Sequence, residues 1–112
     1  MQNLKGVWVT RNKINRIFRW ICNKKFKVTI VYEYNNSLGG YKKRKYTGII
    51  KKFKVEDCDG EYKIKFEFET GERGEEWINS SWEFASKYNP KWVVLSYNNS
   101  GPYCYFGIKI EE

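Results

Sequence analysis

The chain has 112 residues, 41% hydrophobic, 19% aromatic and 30% charged, with a formal net charge of +8. That length suits one domain burying roughly two-thirds of its surface, so many rings exclude a disordered tail, and no apolar run approaches the roughly eighteen residues of a membrane span. The absence of histidine removes the Ser/His/Asp and Cys/His triads, the imidazole general base and most zinc sites.

The opening Met-Gln-Asn-Leu-Lys-Gly lacks the apolar stretch and small-residue cleavage site of a secretory signal, so the expectation is an intracellular, cytoplasmic or nuclear protein. A helix follows at residues 10–25. Ile14, Ile17, Phe18 and Ile21 recur at helical period, Thr10 is placed to cap it, and Cys22 sits on the edge of the apolar stripe. Arg16, Trp20 and Lys24 line up four apart on the opposite side, with Lys25 just beyond. A tryptophan between cations suits base stacking beside phosphate contacts, or anchorage at a lipid surface, the less favoured partner; the plain alternative is that the rest of the fold covers it.

After Lys25 the pattern is strand and turn. Turn signals fall at residues 35–40, Asp57–Gly60, Thr70–Gly74 and 98–102. Between them Val28, Ile30, Tyr32 and Tyr34 alternate with Thr29, Val31 and Glu33, and Tyr62, Ile64, Phe66 and Phe68 alternate with Lys63, Lys65 and Glu67. Residues 46–55 predict a further strand, Trp77-Ile78 a short one, and residues 91–111 a terminal hairpin. Five or six short strands in this length predict a mainly β domain, a small closed barrel with one N-terminal amphipathic helix and a C-terminal hairpin. Val28, Ile30, Ile50, Ile64 and Phe66 are its expected core.

Charge is segregated along the chain. Residues 1–54 hold fifteen Lys/Arg and one acid, Glu33, while residues 55–112 hold six Lys/Arg and twelve Asp/Glu. The densest cationic stretch is Tyr41-Lys42-Lys43-Arg44-Lys45-Tyr46, following a Gly-Gly pair and expected at a hairpin, with Lys51 and Lys52 beyond it. Flexible cations neutralise phosphates and neighbouring rings stack on unpaired bases, so Arg16, Trp20, Lys24, Lys25, Tyr41, Lys42, Lys43, Arg44, Lys45, Lys51 and Lys52 are the candidate nucleic-acid contacts. A charged hairpin that only discourages aggregation is the alternative.

The ordered set Val28-Thr29-Ile30-Val31-Tyr32, Tyr46-Thr47-Gly48-Ile49-Ile50, Asp59-Gly60, Tyr62-Lys63-Ile64-Lys65-Phe66 and Glu75-Glu76-Trp77-Ile78 resembles the chromo-barrel or Tudor-knot branch of the Tudor-like SH3-fold barrels, over residues 27–84. Where that family carries a Gly-aromatic-Asn-Arg bend, this chain has the acidic run Glu67–Gly74. The resemblance implies an SH3-like barrel that binds either nucleic acid on a basic face or a methylated lysine in an aromatic cage. By position it nominates Tyr34, Tyr46, Phe68 and Trp77 for that cage, where rings would surround a methylammonium.

Catalysis would have to use acids or cysteines. Glu67, Glu69, Glu72, Glu75 and Glu76 cluster at one bend without the spacing of a calcium loop, and read as a solvated acidic face. Cys22, Cys58 and Cys104 are odd in number, widely spaced and contain no Cys-x-x-Cys, which argues against a disulfide framework, a zinc knuckle or an activated nucleophile. The expectation is a non-catalytic module with no metal or cofactor. A small protein-binding or inhibitor protein is the reading of a different class that the bipolar charge equally serves.

Overall fold

The computed structural model describes residues 10–35, 40–79, 83–84, 92–98 and 103–111. The turns expected at 36–39 and 99–102 and the Cys104 side chain lie outside the described features. Helix α1 spans Arg11–Lys24. The Thr10 hydroxyl accepts from the Lys13 amide at 3.2 Å, satisfying one of the donors that a helix start leaves open. The helix stops at Lys25, which takes the left-handed conformation at φ 53°, while the amides of Lys25 and Phe26 bond back to the carbonyls of Cys22 and Ile21. These two bonds form a Schellman cap on a residue other than the usual glycine.

Seven strands follow: β1 (Lys27–Asn35), β2 (Tyr41–Asp57), β3 (Glu61–Phe68), β4 (Arg73–Asn79), β5 (Glu83–Phe84), β6 (Trp92–Asn98) and β7 (Tyr103–Ile110). They form an antiparallel sheet in the order β4-β3-β2-β1-β7-β6-β5. The β2–β3 turn has Asp59 at φ 50° and Gly60 at φ 89°, two consecutive positive angles that match the twist of a two-residue hairpin. Cys58 and Glu61 exchange backbone bonds across it.

Two features differ from the sequence expectation. The cationic stretch is not a hairpin tip, because Tyr41–Ile49 pairs along its whole length with β1 and so belongs to a seventeen-residue strand. The strand order is also open: among the described residues no ladder joins β4 to β5, and β7 of the terminal hairpin occupies the second edge of β1. The mainly β architecture with one helix is what the alternation and the helical stripe predict.

Strand β2 belongs to two ladders. Its first half pairs with β1 and its second half, from Ile50, with β3, with a register shift between Ile50 and Lys52. A bulge adds twist and bends the strand, which turns one part of the sheet toward the other. Ile14, Ile17, Phe18 and Ile21 from the helix join Val28, Ile30, Ile50, Val55, Ile64, Phe66, Phe68, Ile78, Phe106 and Ile108 in one buried cluster. The helix is fixed over the second half of β2 by Phe18 against Phe53, centroids 5.5 Å apart, and by the Arg11 guanidinium donating to the Val55 carbonyl at 3.1 Å.

Two substitutions test this core. Ile64→Ala, at a fully buried position, is expected to cost about 2–5 kcal/mol in denaturant unfolding; a loss under about half a kcal/mol would mean that its face is not in the core. Gly74→Ala should also destabilise, by about 1–3 kcal/mol, since a Cβ there would enter the Phe66 ring and stand 2.8 Å from Tyr46. Unchanged stability of that variant would show that the two rings can move aside.

Candidate nucleic-acid interface

Strand alternation divides the cationic run between two faces. The register sets Tyr32 opposite Arg44, Tyr34 opposite Lys42 and Ile30 opposite Tyr46, so these side chains share the face that carries the core residues of β1. Tyr41, Lys43 and Lys45 project from the other face, together with Lys27 and Glu33. The Tyr41 ring is 57% exposed, and its hydroxyl donates to Glu33 Oε2 at 2.8 Å, an arrangement that raises the phenol pKa. Lys42, Lys43 and Lys45 are exposed, and none has an ion-pair partner among the described residues.

Arg44 has a different role from its neighbours. Its Nε and Nη2 donate to Glu76 Oε2 and Oε1 at 2.7 and 2.9 Å, a bidentate pair, and its guanidinium carbon lies 4.6 Å from the centre of the Tyr32 ring. Tyr46 adds a third donor, its hydroxyl 2.9 Å from Glu76 Oε2. Glu76 is 0% exposed, so the carboxylate is removed from water and bound by three hydrogen bonds instead. Burial, and then the bond to Glu76, pushes the Tyr46 pKa up to about 12; the same carboxylate raises that of Arg44. The pair links β4 to the first half of β2, two strands that do not neighbour each other in the sheet.

Residue order holds one sign of this arrangement. Period-2 alternation through Gly74, Glu76 and Ile78 sets Glu76 on the inward side of β4, whereas clustering with Glu67, Glu69, Glu72 and Glu75 reads it as solvated. Glu76 is therefore a correction to the acidic-face reading, caused by a partner thirty-two residues away that charge counting does not reveal.

The remaining nominated cations divide in the same way. Lys52 faces Glu67 at 3.7 Å, and Glu67 also accepts from Arg73 Nε at 3.1 Å. Lys51, Lys24, Lys25 and Arg16 are exposed without an ion-pair partner among the described residues. The pairing of Lys27 with Ile49 brings the end of α1 beside the middle of β2, near Lys51. Trp20 is half-buried, packing edge-on against Phe26 at 5.2 Å and against the core margin, so the fold covers part of the ring nominated for stacking.

The four rings nominated for a cage do not converge on one opening. Phe68 is 0% exposed and belongs to the core, Tyr46 is committed to Glu76 and packs edge-on against Phe66 at 5.0 Å, and Tyr34 lies on the core-bearing face of β1. Trp77 stands on the opposite side of β4 from Glu76, with Lys63 Nζ 5.2 Å from its ring centre. Cys22 and Cys58 are free thiols and partly buried, and burial raises the Cys22 pKa, which opposes thiolate chemistry. Comparison of the chain with protein-family models, with curated proteins and with solved structures finds no match.

The Glu76 cluster predicts two outcomes. Arg44→Ala should destabilise the protein by about 1.5–3 kcal/mol, the scale of hydrogen bonds to a charged group, because much of the Arg44 side chain is exposed and water can enter behind it. A loss comparable to that of an exposed lysine would contradict the geometry. The stability that Tyr46 contributes as a neutral donor is complete below its ordinary pKa of 10 and is lost as pH rises toward 12. Phenolate absorbance should show one tyrosine ionising near pH 12, absent in Tyr46→Phe, and a pH–stability profile unchanged by that substitution above pH 10 would overturn the assignment.

Proposed function

We propose that this protein is a non-catalytic nucleic-acid-binding module that holds single-stranded RNA or DNA on the outward face of β1 and the first half of β2. The observation that carries this reading is the grouping of Tyr41, Lys43 and Lys45 on one face: an exposed ring beside two exposed lysines that have no ion-pair partner among the described residues. On β3 and β4 the cations Lys63, Lys65 and Arg73 each face an acid on the same surface, at 3.7, 3.1 and 3.1 Å. Unpaired lysines release counterions when they meet phosphates, and an exposed tyrosine offers a base a stacking surface. Lys51, Lys24 and Lys25 extend the positive surface toward the end of the helix, while Lys42 approaches from the opposite side of the strand.

The same reading takes the bent β2 as the strand that turns the corner of an SH3-like barrel of Tudor type, with the Arg44–Glu76 pair fastening its two parts together. A methyl-lysine cage is disfavoured by the burial of Phe68 and the separation of Trp77 from the other rings. No described helix is long and apolar enough to cross a membrane.

The test is binding of an unstructured oligonucleotide across a salt series. The parent should lose affinity steeply with salt, and Lys43→Glu combined with Lys45→Glu should flatten the slope of log K against log[salt] by about 1.4, roughly 0.7 for each phosphate left without its lysine. Tyr41→Ala should weaken binding by about 1–3 kcal/mol while leaving the slope in place. If the doubly reversed protein binds as the parent does, the face is not the interface; if the parent fails to bind at low salt, a protein partner replaces nucleic acid as the leading reading.

A further inference from the structure

The outward surface of β2, β3 and β4 carries a second feature that the basic strand does not use. The registers align Phe53, Phe66 and Gly74 in one row across the three strands, flanked by the rows Lys52–Glu67–Arg73 and Lys54–Lys65–Glu75. Neighbouring residues of a strand point to opposite faces, so on this surface the middle row contributes backbone and the flanking rows contribute long charged side chains. The result is a trough across the strands, with walls about 7 Å apart at roughly 3.4 Å per residue. An open cavity of about 790 Å³ is lined by these three rows and is also bordered by Tyr46, whose ring packs against Phe66 on the core-bearing face.

Its walls hold four cations and two carboxylates. Arg73 is pinned by Glu67, which orients the guanidinium. Lys65 is engaged by Glu56 at 3.1 Å, whereas Lys54 is exposed and has no ion-pair partner among the described residues. Glu75 is only loosely held, 3.7 Å from Lys63 and about half exposed. A single unstacked base can enter between the charged rows. An oriented guanidinium gives the base a stacking partner, a lone lysine meets its phosphate, and a carboxylate accepts from an exocyclic amine.

We propose that the trough receives a single unstacked nucleotide of the bound strand, with the base beside Arg73, the phosphate at Lys54 and Glu75 selecting bases that carry an amino group. This rests on the nucleic-acid reading above and adds to it a base preference, which the Tyr41 face by itself does not provide. Because uracil presents no amine, oligocytidylate should bind more tightly than oligouridylate of equal length and equal phosphate charge.

The experiment measures both oligomers against the parent, Glu75→Ala and Lys54→Glu, with thermal unfolding confirming that each variant is folded. Both positions are exposed and outside the core. The parent should favour cytidylate roughly 2- to 10-fold, the effect of one hydrogen bond, and Glu75→Ala should bring the ratio close to one. Lys54→Glu should weaken both oligomers alike and flatten the salt slope by about 0.7. Equal affinity of the parent for the two oligomers, a ratio unchanged by Glu75→Ala, or a Lys54→Glu variant that binds as the parent does would each overturn the trough assignment while leaving the β1–β2 face intact. Failure of the parent to bind either oligomer would overturn both.

Discussion

The structure depends on one strand serving two ladders. Strand β2 gives its first nine residues to β1 and seven of its last eight to β3, and the register shift between Ile50 and Lys52 lets it change direction between them. Without that bend the two parts of the sheet would lie side by side, and Glu76 of β4 would not meet Arg44 of β2. With it, a buried carboxylate is bound by three hydrogen bonds from residues thirty or more positions away. A buried ion pair is weak evidence for stability, because desolvation opposes the attraction, but breaking it leaves an uncompensated charge and is costly. Here the pair joins β4 to the first half of β2, two strands that are not neighbours in the sheet.

That placement sorts the cations. In a stretch such as Tyr41–Tyr46 every second side chain is directed to the face bearing the core, and there the chain has Arg44 and Tyr46, the two residues able to satisfy Glu76. The intervening Lys43 and Lys45, with Tyr41, are left facing outward. The same alternation gives β2, β3 and β4 an outward surface of paired charges, in which Glu67 and Glu75 each meet a cation and Lys54 is left over. Charges are thus paired at close range on one part of the sheet, whereas on the other Lys43, opposite Glu33, and Lys45, within the field of Glu111, form no ion pair among the described residues.

Much of this was legible in residue order. The helical stripe Ile14, Ile17, Phe18 and Ile21 is buried, as are Val28, Ile30, Ile50, Ile64 and Phe66, because each lies in a segment whose period admits one interpretation. The Asp59-Gly60 turn was equally legible, since it demands consecutive positive φ angles. The extent of β2 was not: four consecutive cations have low strand preference, and only pairing with β1 makes Tyr41–Lys45 a strand. The commitment of Arg44 to Glu76 was hidden for a related reason. Charge segregation along the sequence reports where cations are numerous, and not which of them the fold spends internally. Trp20 illustrates the same limit, because the wheel sets it outside the apolar stripe while Phe26, just past the helix end, turns back to cover part of it.

In the proposed function Lys43 and Lys45 meet the ligand while Arg44, between them in sequence, serves the fold. Backbone amide and arginine Nε–H resonances, followed by nuclear magnetic resonance during titration with an oligocytidylate, test this directly. Progressive, salt-sensitive shifts are expected at Tyr41, Lys43 and Lys45, with further shifts at Lys54 and Glu75 and an Arg44 Nε–H signal that stays in place on Glu76. An Arg44 signal that moves with the ligand while Lys43 and Lys45 remain unperturbed would contradict it.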